Sequence, residues 1–195
     1  VDSLTLSIND GEIFGFLGPN GAGKTTTIKL LTGILKADDG AVSVNGIDIN
    51  TNPIEAKKTI SFVPDTPETF SKLKASEYLN FIADVYKIPT DVRQERITEY
   101  ASMFGILDVL NARISSFSHG MKQKLFLTAS LVTDPHNWIL DEPMVGLDPD
   151  AAFKLKELMR KRASEGKTVF FSTHVMEVAE KLCDRIGIIK KGKLI

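Results

Sequence analysis

The sequence has 195 residues, 43% of them hydrophobic, and a formal net charge of −1. That length suits one domain, or one domain with a subdomain, with a sizeable core, and nothing in the even charge balance points to nucleic acid, so no nucleic-acid partner is expected. No stretch approaches the roughly 20 apolar residues that span a bilayer, so a membrane role must come through a partner. The single cysteine, Cys183, has no second thiol for a disulfide or a shared metal. Its run VAEKLCDR has helical spacing, which favours a buried small side chain over a reactive thiol. The composition fits a reducing cytosol.

In chain order, Leu4 to Ile8 alternates apolar and polar and predicts a half-buried strand. Ile13 to Leu17 is an apolar run between glycines and predicts a buried strand. A glycine-rich loop follows, then a helix from Lys24 to about Leu35. AVSVNGIDI predicts a hairpin turning at Asn45-Gly46, and Ile60 to Val63 another short strand closed by Pro64. From about Pro67 to Leu131 the signals are helical. Ser76 is placed to cap one helix, Asp91 a second, and a third starts near His119. After Asp134-Pro135 the alternation returns. NWILD predicts a strand, and DPDAAFKLKELMRKRASEG a helix with Asp148 at its start and Gly166 at its end. TVFFST predicts a strand, VMEVAEKLC a helix, and RIGIIKKGKLI a strand pair about a Lys-Gly turn. The chain opens at Val1 and stops inside this last expected strand, so both ends are expected to be trimmed. The pattern is an α/β core split by a helical insertion.

Gly18-Pro19-Asn20-Gly21-Ala22-Gly23-Lys24-Thr25 matches the phosphate-binding loop pattern in full and lies between a strand and a helix. Glycines there let backbone N–H groups converge on phosphate oxygens, and the helix N-terminus adds positive potential. Lys24 is expected to reach the β- and γ-phosphates, Thr25 to ligate Mg²⁺, and Thr26 to contact another phosphate. Asp141, at the mouth of the strand NWILD, is expected to hold Mg²⁺ through water. Glu142 suits polarising an attacking water. Taken alone, the Asp-Glu pair could equally cap a strand. Trp138 reads as core packing, with a substrate platform as the alternative.

Phe117-Ser118-His119-Gly120-Met121-Lys122-Gln123 resembles the signature loop of ABC ATPases, and it sits upstream of the Asp141 strand as in that family. GEIFGFLGPNGAGKTTTIKLLTGILKADDGAVSVNGIDI looks like the start of the same family. MVGLDPD resembles the segment with its D-loop, including Asp148, and His174 resembles its switch histidine. The resemblance covers essentially the whole chain. It implies an α/β fold: a P-loop NTPase core of ABC type with a mainly parallel sheet, an antiparallel β subdomain and an inserted helical subdomain. The expected division is 1–66 and 134–195 for the core and 67–133 for the helical part, which carries the signature. ATP and Mg²⁺ are the implied cofactors.

The resemblance also implies two ATPase subunits arranged head to tail, identical or different. Ser118, His119, Gly120 and Met121 of one copy would face the ATP of the other, with Ser118 and the Gly120 backbone touching its γ-phosphate. His174 would bond the γ-phosphate and orient water with Glu142. Three departures stand out. His119 replaces the usual first glycine, and Met121-Lys122 stretches the match before Gln123. Asp65 stands where the family has the Q-loop glutamine. It reads either as a residue acting on Mg²⁺ through a water and coupling to a membrane subunit, or as a cap on the turn DTPE. The adenine-stacking aromatic would precede Val1. The long helical middle, GMKQKL after the signature and LKADDGAVSVNGIDI look most like bacterial drug-, antibiotic- or polysaccharide-type exporter ATPases. The expectation is an exporter's ATPase subunit, in the cytoplasm and peripheral at the inner face of the membrane through an integral membrane subunit. The alternatives are a soluble ABC ATPase acting on ribosomes or DNA, and a non-hydrolysing nucleotide switch, against which Glu142 argues.

Overall fold

The structure, a computed structural model, describes residues 1–65 and 70–195. The chain divides into two compact units. One comprises 1–62, 135–143 and 158–195, and the other 63–134 and 144–157. The second thus takes in 144–157, a segment that the sequence reading assigned to the core.

The first unit is organised by a sheet of order β4-β5-β6-β1-β7-β8. Its strands are β1 (Ile13–Leu17), β4 (Ile60–Val63), β5 (Asn137–Leu140), β6 (Thr168–Thr173), β7 (Arg185–Lys190) and β8 (Lys193–Leu194). β5, β6, β1 and β7 run parallel, and β8 returns antiparallel to β7. β1 and β6 are buried along their whole length, as the continuous apolar runs of a sheet covered on both faces require. Phe14 stacks on Phe170 at 5.8 Å between centroids, and Phe16 tilts against the same ring at 5.6 Å. Burying each such side chain stabilises the fold by about 1.5–3 kcal/mol. Trp138 is fully buried, with the Arg162 guanidinium 5.7 Å above its ring, so it packs the core. Cys183 is half-buried against Gly15, where an added Cβ would sit 2.5 Å from its sulfur. Burial, reinforced by the charge of Asp184, pushes the thiol up to about 12, which leaves it unreactive at neutral pH.

A separate antiparallel pair, β2 (Ser43–Val44) and β3 (Ile47–Asp48), turns at Asn45 and Gly46 with φ of +51° and +74°. Both central residues in the left-handed region make the turn that Asn-Gly predicts. The expected strand at Leu4 to Ile8 does not form. Leu4, Leu6 and Ile8 do pack against the core, so the alternation reports which side is buried, without a ladder. The helix after the glycine-rich loop, α1 (Lys24–Leu31), is shorter than expected. Gly33, at φ +64°, turns the chain and leaves Ile34 and Leu35 exposed. A short helix α2 (Pro53–Lys58), absent from the sequence reading, begins with a proline at its first position.

The second unit contains α3 (Ala75–Val85), α4 (Thr90–Met103) and α5 (His119–Val132), with α3 and α4 both packed on α5. Tyr78 and Phe126 meet at 5.0 Å between ring centroids, and Leu79, Leu125 and Leu127 are fully buried. Two helix starts differ from expectation. α3 starts before Ser76, and the Lys74 backbone N–H donates to the Glu77 carboxylate at 2.8 Å. α4 starts after Pro89, with Asp91 in its first turn. At α5 the cap is Ser118, whose Oγ accepts from the Met121 N–H at 3.2 Å. Among the described residues the remaining α-helices are α6 (Pro149–Ser164) and α7 (Met176–Leu182). Among the described residues no helix is long and apolar enough to cross a membrane.

Candidate functional site

The register of the parallel strands brings the candidate residues to one edge. Leu17 of β1 pairs with Thr173 of β6, and Leu140 of β5 pairs with Phe171. The residues that follow these strands are Gly18, His174 and the pair Asp141-Glu142. They therefore emerge together at the carboxyl ends of the strands, where open α/β sheets bind ligands.

The loop from Gly18 to Thr25 depends on its glycines. A Cβ on Gly18 would fall 2.5 Å from the Ile189 carbonyl oxygen, and Gly21 and Gly23 hold φ of +77° and +111°. Gly23 is the N-cap of α1, so the N–H groups of Lys24, Thr25 and Thr26 begin the helix without intrahelical acceptors. The turn between β7 and β8 braces the loop from beneath, the Gly192 N–H donating to the Ala22 carbonyl at 2.8 Å. Lys24 is buried. Its Nζ donates to Gly18 O at 2.7 Å and to Pro19 O at 3.3 Å, and lies 3.2 Å from Glu142 Oε1. Thr25 and Thr26 are exposed.

Thr25 Oγ1 donates to Asp141 Oδ2 at 2.7 Å. These are hard oxygen donors, and that set fits Mg²⁺. Among the described residues no group of three His, Cys, Asp or Glu side chains forms a metal cage. A cation here would complete its shell with phosphate oxygens and water, as Mg²⁺ commonly does. Glu142 lies beyond the end of β5 with φ of +46°, and its carboxylate meets partners different from those of Asp141. Its Oε2 is 3.0 Å from His174 Nδ1. An ionised carboxylate only accepts, so Nδ1 carries the hydrogen. Lys24, Glu142 and His174 thus form one chain of contacts.

Sequence reasoning missed Ser172. This residue of β6 is fully buried, donates through Oγ to Asp141 Oδ1 at 2.5 Å and accepts from the Glu142 N–H at 2.9 Å. The signal that could have found it is the pair of hydroxyl residues, Ser172 and Thr173, that ends an otherwise apolar run before His174.

The signature residues and Asp148 fall in the second unit. Ser118 and His119 are exposed. Gly120 packs so closely under the Gly146 carbonyl oxygen that a Cβ would collide with it, and the His119 ring lies against Gly146. Lys124 Nζ donates to Asp148 Oδ2 at 2.5 Å, and Asp148 Oδ1 accepts from the Ala151 N–H at 2.9 Å, capping α6. The Lys124 ammonium, with that backbone N–H, holds the Asp148 carboxyl down at about 2. Asp65 is half-buried in a bend after β4, and the rest of the turn DTPE lies outside the described residues.

The profile of the ABC transporter family matches residues 1–145. Over 195 residues the chain is 37% identical to the linearmycin resistance ATP-binding protein LnrL of Bacillus subtilis (strain 168), covering all of this chain and 63% of the relative. It is 35% identical, also over 195 residues, to Nod factor export ATP-binding protein I of Burkholderia pseudomallei (strain 1710b), covering all of this chain and 64% of the relative. The chain therefore spans less than two thirds of the length of these curated relatives. A solved structure described as the ATP binding subunit of an ABC transporter superposes with a TM-score of 0.93 at 32% identity, over 98% of this chain and 80% of that one. From its motifs, its site and these likenesses, the chain belongs to the ABC transporter family, among the ATP-binding proteins of that family.

Proposed function

We propose that this chain binds MgATP and hydrolyses it as one of two nucleotide-binding subunits that power an ABC exporter. The observation that carries the reading is the convergence of Lys24, Thr25, Asp141, Glu142 and His174 at the ends of β1, β5 and β6. The backbone from Gly18 to Thr26 and the Lys24 ammonium would hold the phosphates. Thr25 and Asp141 would hold Mg²⁺, which supplies charge neutralisation at the phosphate oxygens. Glu142 would accept the proton of the attacking water, and His174 would orient that water and the γ-phosphate.

The parts of the proposal outside this cluster rest on the family resemblance. Residues 1–66 and 134–195 act as the ATPase core and 67–133 as the helical subdomain. Ser118, His119, Gly120 and Met121 face the ATP of the partner copy, and Asp148 lies in the adjoining D-loop. The Ser118 hydroxyl accepts from Met121 and still has its own hydrogen to give a phosphate oxygen. Asp65 acts on Mg²⁺ through a water and faces the membrane subunit. The names linearmycin resistance and Nod factor export support the direction of transport, and an integral membrane partner would hold the subunit at the cytoplasmic face.

The test is phosphate release from ATP, with and without Mg²⁺, over a dilution series. Release that requires Mg²⁺ and falls in specific activity on dilution is expected of a site completed by a second copy. Ser118→Arg should abolish release while leaving ATP affinity within about threefold of the parent, because it obstructs only the partner's phosphate. Specific activity that is independent of dilution, together with an active Ser118→Arg, would exclude the shared site. Recovery of an integral membrane protein with the tagged chain from detergent extracts supports the transporter assignment, and recovery of ribosomes or DNA instead removes it.

A further inference from the structure

We infer that Ser172 is a positioning residue that orients both the magnesium carboxylate and the water-activating carboxylate, an inference that rests on the roles proposed above for Asp141 and Glu142. Ser172 sits between Phe171 and Thr173 and is 0% exposed. A hydroxyl buried in a strand is unfavourable unless it is bonded. This one is bonded twice, to Asp141 Oδ1 at 2.5 Å and to the Glu142 N–H at 2.9 Å.

Chemistry fixes the direction of both bonds. An ionised carboxylate only accepts and an amide N–H only donates, while a hydroxyl has one hydrogen and free lone pairs. The Ser172 hydrogen therefore goes to Asp141, and a lone pair takes the Glu142 N–H. For Asp141 this commits Oδ1 and leaves Oδ2 toward Thr25 at 2.7 Å. For Glu142 it ties down the backbone at a residue with φ of +46°, a conformation uncommon outside glycine. That conformation carries the side chain to Lys24 Nζ at 3.2 Å and His174 Nδ1 at 3.0 Å. One hydroxyl thus sets the angle between two neighbouring carboxylates with different tasks. Partners of this outer kind commonly change metal affinity or activity 10–100-fold when removed.

Binding of a fluorescent ATP analogue, followed in EDTA and then across a Mg²⁺ titration, separates this role from strand packing. The variants are Ser172→Ala and Ser172→Cys. The second is nearest in shape, though somewhat larger, and replaces the hydroxyl with a weak donor, and circular dichroism melting checks that both fold. In EDTA both should bind the analogue within about threefold of the parent. The Mg²⁺ midpoint should rise about 10-fold or more, and turnover at saturating Mg²⁺ should fall about 10-fold. A folded Ser172→Cys with the parental midpoint overturns the inference. So does equal weakening with and without Mg²⁺, which would mark the serine as packing alone. Asp141→Asn separates the layers. If it also keeps the parental midpoint, the metal assignment of Asp141 fails. If it shifts the midpoint and the Ser172 variants do not, only the role of the serine fails.

Discussion

Glu142→Gln is expected to keep MgATP binding and to lower turnover by about 10²–10⁴-fold, the usual cost of losing general-base assistance. Glutamine has nearly the same shape and can still accept a hydrogen bond from His174 Nδ1, now at 3.0 Å from the carboxylate. What it lacks is the capacity to take a proton from water. Binding should hold or tighten slightly. In the structure the Glu142 carboxylate lies 3.2 Å from the Lys24 ammonium, so it competes with an incoming phosphate for that cation. An amide competes less. In the proposed head-to-tail pair hydrolysis would be the step that separates the two copies, so the variant is expected also to accumulate as an ATP-bound dimer. Light scattering with and without ATP reads the dimer, and phosphate release reads turnover. Parental turnover would move the base to another carboxylate, and Asp65 would be the first to examine.

Lys24→Ala is expected to weaken MgATP binding by about 10–150-fold, the equivalent of one charge-assisted hydrogen bond of roughly 1.5–3 kcal/mol. The lysine is buried, and Gly18 O and Pro19 O accept from its ammonium and fix it beside the loop. Little side-chain freedom then has to be lost on binding. Removal also leaves Glu142, whose side chain is 12% exposed, without its cation. Calorimetric titration should therefore be accompanied by a melting curve, so that lost affinity is read on folded protein. Parental affinity in a folded variant would show that phosphate binds elsewhere.

The parts of the fold and the site that were legible in the sequence are those set by neighbouring residues. The phosphate loop is a glycine spacing with a strand before it and a helix after it. The Asn45-Gly46 turn is a dipeptide, and Ser118 caps a helix that begins at the next residue. Less legible were features decided by what lies across the fold. The alternation at Leu4 to Ile8 reports burial and cannot say whether a partner strand forms. At α3 the carboxylate of Glu77 marks the start, and Ser76, a better cap by type, falls inside the helix. Ser172 bonds to residues 30 and 31 positions away, so no local window contains its purpose. The same holds for the pairing of Lys124 with Asp148 across 24 positions.

The bond from Gly192 to Ala22 has a consequence for anyone who would transplant the nucleotide site. The octapeptide from Gly18 to Thr25 rests on the Ile189 carbonyl and on the following turn, nearly the whole length of the sequence away. Grafted onto a foreign strand and helix, it would carry its glycines without their floor, and the cradle would sag into other shapes that glycines allow. A chain cut before Lys191 should suffer the same fate with every residue of the motif still present. The portable unit is the loop together with the β7–β8 hairpin, and the motif alone is only its visible half.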